Sequence, residues 1–153
     1  QYGFESEEIP VLPATQKEVE ILGSLMEQKQ WRVNKLMQEN ATEDNLKSDA
    51  GNSVLHIATH GFFLEDVNTE NLADEDDFLS NPLFQSGILL SGASVPSGKR
   101  NGMEDGVLTA YEAMNLNLEN TELVALSACE TGLGTIQNGE GVFGLQRSFL
   151  MAG

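Results

Sequence analysis

An α/β fold, with a mostly parallel sheet flanked by helices in three layers, is predicted by two observations. Ser53–Thr59 and Glu122–Ala128 are near-continuous apolar runs rich in strand formers. Such runs suit parallel strands buried on both faces. Segments with helical spacing lie before, between and after them, and strands that alternate with helices imply a mostly parallel sheet.

The elements follow in chain order. Pro13 to Glu18 reads as a helix start: Thr15 can cap, and Glu18 three residues on completes a capping box. Val19, Leu22, Leu25 and Met26 continue at helical spacing. Trp31 to Met37 alternates and predicts a short strand, and Thr42 to Ser48 a polar helix capped by Thr42. The first buried strand should end at His60-Gly61, with a loop from Phe62 to Phe78 that carries the acids Asp74 to Asp77. Gly87 to Leu90 predicts another strand. Ser91 to Gly106, rich in Gly and Ser, reads as a mobile surface loop. Thr109 to Met114 predicts a short helix, Glu122 to Ala128 the second buried strand, and Val142 to Met151 a final apolar helix. Ligands bind such sheets beyond the carboxyl ends of their strands, where His60 and Cys129 both fall.

The chain has 153 residues, enough for one domain with its own core. It carries 24 acids against 8 bases, a formal net charge of −16. That balance argues against binding nucleic acid or an anionic membrane, since both need a basic patch. No run approaches eighteen apolar residues, so no transmembrane helix is expected. Gln1 to Pro10 lacks the pattern of a signal peptide. The single cysteine excludes an internal disulfide and suits a reducing, cytoplasmic setting. With no initiator Met and an abrupt stop at Gly153, residues 1–153 read as one domain, partial at its C-terminal end and cut from a longer protein.

A protease-type cysteine works as a thiolate, and a nearby histidine supplies the base and later protonates the leaving amine. Here the histidine precedes the cysteine by roughly seventy residues, the same order as in caspases, where the gap is about fifty. The segment Ser127 to Gly132 partly matches the caspase nucleophile signature. Gly61 lets the backbone pass close to a substrate carbonyl, so the N–H groups of Gly61 and Cys129 are candidates for an oxyanion hole. The competing reading is that Cys129 is a small buried core residue, as most free cysteines are.

Longer motifs carry a family resemblance. The segment His56-Ile57-Ala58-Thr59-His60-Gly61-Phe62-Phe63 resembles the histidine motif of the CHAT family, and Leu126 to Gly134 resembles its cysteine motif. Gly139 to Leu150 is similar to the helix that follows, and Asn81-Pro82-Leu83 and Asp105 to Ala110 also fit. The resemblance implies a caspase-like fold and the cysteine endopeptidase chemistry of the clan shared with caspases and separases. The catalytic histidine maps onto His60 and the cysteine onto Cys129. It further implies a bacterial protein, with tetratricopeptide repeats upstream or a regulatory protein as partner, a protein or peptide substrate, and no cofactor. A preference for a basic residue before the cut, known among relatives, would need a carboxylate, for which Glu130, Asp105 and Glu140 are available. The alternative is a catalytically silent regulatory or protein-interaction module of the same fold.

Other patterns have plainer readings. His56 and His60 lack the Glu of a zincin motif, and on a strand they stand roughly 13 Å apart, too far to share one metal. No metal site is therefore expected, a zinc site on both histidines and Cys129 being the lesser alternative, and His56 reads as a core or supporting histidine. Gly139 to Gly144 formally matches G-x-G-x-x-G but does not follow a strand directly, so its glycines read as shaping the start of the last helix. Asp74 to Asp77 reads as a solvated loop rather than a calcium site. Lys99-Arg100 is a loop tip and a candidate processing site. Asn40-Ala41-Thr42 matches a glycosylation sequon without consequence in a cytoplasmic protein.

Overall fold

The computed structural model describes residues 9, 11–49, 51–63, 81–93, 105–129 and 140–153; at 129 and 140–142 the description is of backbone only. Helix α1 spans Pro13–Gln28. It starts two residues before Thr15 because Pro13 stands at its first position, where a missing N–H costs nothing and φ is preset. The predicted capping box is therefore not formed. Thr15 Oγ donates to the carbonyl of Leu12 at 2.7 Å, and Glu18 is free to reach elsewhere. Residues 31–37 form no strand. They run back along α1, where Lys35 meets Glu27 at 3.0 Å.

Helix α2, Glu43–Ser48, has the expected cap: Asn45 N donates to Thr42 Oγ at 3.2 Å. Strand β1 is Val54–Phe63, β2 is Ser86–Leu89 and β3 is Val107–Thr109. Helix α3, Ala110–Ala113, opens on a full capping box between Thr109 and Glu112. Strand β4 is Leu123–Cys129 and helix α4 is Glu140–Met151.

The sheet order is β3-β2-β1-β4. The described sheet is mixed rather than mostly parallel: β1 pairs parallel with β4, but β1 with β2 and β2 with β3 are antiparallel. The reason lies in the second strand. It pairs antiparallel with the last third of β1 on one side and with β3 on the other. Between β1 and β4 the chain passes through helix α3, and a parallel pairing requires a long crossover of that kind. Nor is β4 buried on both faces as expected. It forms the edge of the described sheet, with Leu123 and Leu126 exposed.

The main core lies on one face. Ile57, Ile88 and Leu108 from the sheet meet Ala110, Ala113, Leu145, Phe149 and Ala152 from α3, α4 and the residue after α4. On α4 the buried set Leu145, Ser148, Phe149 and Ala152 follows helical spacing, which seats one stripe on the sheet. Ile88 and Leu108 are fully buried, each worth about 2 kcal/mol of apolar transfer. Gly87 is required there, since a Cβ would lie 2.3 Å from the Leu108 carbonyl and 2.8 Å from the Phe62 ring. A smaller cluster of Phe62, Leu89 and Val107 lies apart from that core, with Ile9 and Ala93 against it.

One carboxylate is buried in the scaffold. Glu43 is 1% exposed; it meets Lys47 at 2.7 Å and accepts from Gly106 N at 3.2 Å. Lys47 also lies 3.5 Å from Glu112, so α2, the turn before β3 and the α3 cap are tied together. Gly106 has φ +81°, and a Cβ there would run into the backbone of Gly92 and Ala93. Leu90 N donates to the Gly106 carbonyl at 2.7 Å, so the two ends of the connection between β2 and β3 are joined at the glycine that Glu43 holds.

Candidate functional site

The sequence predicts that β1 ends at His60, but the strand runs on to Phe63. It does so because residues 60–63 gain a new partner: His60↔Leu89 through Phe63↔Ser86 are antiparallel pairs with β2. The preceding stretch, Val54↔Leu123 through His60↔Cys129, pairs parallel with β4. Among the described residues His60 alone belongs to both ladders. It is anchored on both sides by backbone hydrogen bonding and is buried, with 7% of its surface exposed.

Cys129 is the last residue of β4 and stands at the register position opposite His60. Neighbouring strands lie about 4.8 Å apart, so residues distant in sequence are brought side by side. Gly61 follows inside β1. A Cβ there would meet only Ala128 Cβ at 3.5 Å and the Gly87 carbonyl at 3.7 Å, both ordinary contacts. Unlike Gly87, Gly61 is not demanded by the packing of the described residues.

A second polar group lies on the helix α1 side. Glu18 Oε1 is 3.0 Å from His56 Nε2, and Ser127 Oγ donates to Glu18 Oε2 at 3.1 Å. His56 is therefore a supporting histidine with a carboxylate partner. Glu18 is the residue the sequence reading misplaced, as a helix cap. The usable signal was its phase: it falls beside Thr15, Val19 and Leu22 on the inward side of α1, where an acid needs a partner.

Of the proposed substrate carboxylates, Asp105 uses Oδ1 to accept from Val107 N at 2.9 Å, closing the turn that leads into β3. Val107 is in register with Leu89, and Leu89 with His60, so Asp105 lies two strands away from the histidine. Glu140 is the first residue of α4, described by backbone alone. Glu130, the acids Asp74 to Asp77 and Lys99-Arg100 lie outside the described residues.

Two cavities flank the β1–β4 pair. One, of about 790 Å³, lies beneath α1 and is lined by His56, His60, Val19, Trp31 and Leu89 among others. The other, of about 600 Å³, is lined by Gly61, Leu126, Ala128, Leu145 and Phe149 among others. The histidine and the glycine after it thus border different cavities, as strand alternation demands.

A mixed α/β sheet of this kind, with a histidine and a cysteine in register on adjacent strands, is consistent with a caspase-like fold. The CHAT domain model matches residues 4–153, so this chain belongs to the CHAT domain family. No curated protein and no solved structure matches the chain. Among the described residues no helix is long and apolar enough to cross a membrane.

Proposed function

We propose that this domain is a cysteine endopeptidase that cleaves peptide bonds through Cys129 and His60. The observation that carries the reading is the pairing of His60 with Cys129 in one register position at the end of β4. In this mechanism His60 takes the thiol proton, and the thiolate attacks the scissile carbonyl carbon. The N–H groups of Gly61 and Cys129 stabilise the oxyanion. As the tetrahedral intermediate collapses, the C–N bond breaks and His60 protonates the leaving amine. Water, deprotonated by His60, then hydrolyses the thioester and restores the thiol.

The substrate is a protein or peptide, with a basic residue before the cut held by Glu130, Asp105 or Glu140. The setting is the bacterial cytoplasm, and attached repeats or a partner protein regulate the site. A peptide-library profile tests the pocket; a preference for Asp or apolar residues before the cut removes the basic-pocket assignment.

The second reading is a silent interaction module of the same fold. It draws on β4 as the edge of the described sheet, bearing exposed Leu123 and Leu126. A peptidyl acyloxymethyl ketone separates the two. Labelling of Cys129 that is lost in His60→Ala supports the peptidase. Absence of labelling in the intact protein, with its partner present, supports the module. Cleavage retained by purified Cys129→Ala protein overturns the assignment of the nucleophile.

A further inference from the structure

We infer that Glu18 is a positioning residue for the Cys129–His60 pair, acting as a carboxylate bridge that locks β1 to β4 below it. The inference rests on the proposed dyad. Strand alternation groups positions 54, 56, 58 and 60 of β1 on one face, and the parallel register adds 123, 125, 127 and 129 of β4. Along that face β1 reads Val54, His56, Ala58, His60, and β4 reads Leu123, Ala125, Ser127, Cys129. Glu18 reaches this face from α1 and spends one oxygen on each strand, on His56 at 3.0 Å and on Ser127 at 3.1 Å. Because His56 is in register with Ala125 and Ser127 with Ala58, the bridge spans a diagonal of the ladder. The small residues Ala58 and Ala125 occupy the other diagonal.

The bridge ends one alternation before Cys129 and two before His60 on the strands that carry them. A parallel ladder is evenly hydrogen-bonded, so backbone bonds alone mark no unique register. Side chains must fix it, and a two-residue slip would carry His56 or Ser127 out of reach of a single carboxylate. The apolar face of the pair is held by packing of Leu55, Ile57 and Val124 with the main core. The opposite face is small and polar at the corresponding positions, and among the described residues Glu18 joins its strands. A helix could dock there on apolar contacts alone. Desolvating a carboxylate to do so gains little stability, and such groups serve best to fix register. The contacts of Glu18 are with His56 and Ser127, so its effect is exerted through geometry.

The test uses the intact protein and iodoacetamide, which needs no substrate pocket, with the peptide carrying Cys129 followed by mass spectrometry. Glu18→Ala, Glu18→Gln, Ser127→Ala and His60→Ala are compared with the parent, and melting temperature is recorded for each. Slower alkylation in His60→Ala establishes the dyad; unchanged alkylation there overturns the proposed function, and this inference with it. With the dyad established, Glu18→Ala should alkylate roughly tenfold more slowly, as expected of a displaced pair. Glu18→Gln, which can still accept from one strand and donate to the other, should recover most of that loss. The two histidine ring resonances should both move in Glu18→Ala. Parent-like alkylation in Glu18→Ala overturns the inference while the dyad stands. A folded Glu18→Gln that stays as slow as Glu18→Ala overturns the bridge in favour of simple charge. If Glu18→Ala does not fold, Ser127→Ala decides: slower alkylation supports the bridge and unchanged alkylation overturns it.

Discussion

The environments on either side of the β1–β4 pair differ in what they are made of. On the α4 side Ile57, Ile88, Leu108, Leu145 and Phe149 form a buried apolar core. On the α1 side the same strands present His56, His60 and Ser127 to a carboxylate and a larger cavity. The contrast teaches how one sheet separates apolar packing from polar, titratable groups. An apolar face gains free energy from burial and tolerates no polar group without a partner. A face that holds titratable groups needs hydrogen bonds to aim them, and contributes less to the core. A strand can serve both purposes because its side chains alternate.

The comparison is broken most sharply by His60→Ala. Under the proposed function it removes the general acid–base group, so cleavage should fall by about a thousandfold while the melting temperature stays near that of the parent. Peptide hydrolysis and a thermal melt on the same sample check both halves of that statement. Next in size is the pair Phe149→Ala and Leu150→Ala. These neighbours on α4 differ in exposure, 5% against 73%. Phe149→Ala should cost about 3 to 4 kcal/mol in denaturant unfolding, whereas Leu150→Ala should cost under about 0.5 kcal/mol. Equal losses would mean that α4 does not seat the stripe described.

Glu43→Ala should destabilise the fold by about 2 kcal/mol, the size of lost charge-assisted hydrogen bonds, because Gly106 N loses its acceptor and Lys47 loses its buried partner. Urea titration checks it. Thr109→Ala should cost about 1 kcal/mol, since it removes the hydroxyl half of a capping box on a helix of four residues. Serine at the same position should restore most of that loss, and the pair of unfolding curves sharpens the assignment of the cap.

Much of this was legible in the residues. The two strand runs, the caps at Thr42 and the short helix after Thr109 follow local rules that operate within a few residues. The His60 and Cys129 motifs also identified the family. Three features were not legible for a common reason. Glu18 looked like a cap because three-residue spacing from Thr15 is a local signal, and Pro13 moved the helix start beyond its use. Trp31 to Met37 alternates, yet found no strand to pair with. The end of β1 was misjudged because nothing inside Ser53–Thr59 reports that Ser86–Leu89 will extend its ladder.

By itself, then, the sequence determined the family, the type of most elements, and which histidine and cysteine to watch. Only the tertiary structure decided that the sheet is mixed, that His60 joins two ladders opposite Cys129, and that a glutamate from α1 bridges the two strands beneath them. The physical reason is range. Caps and hydrophobic runs are decided among neighbours in chain. Strand register, and the partner of a part-buried carboxylate, are decided by residues dozens of positions away.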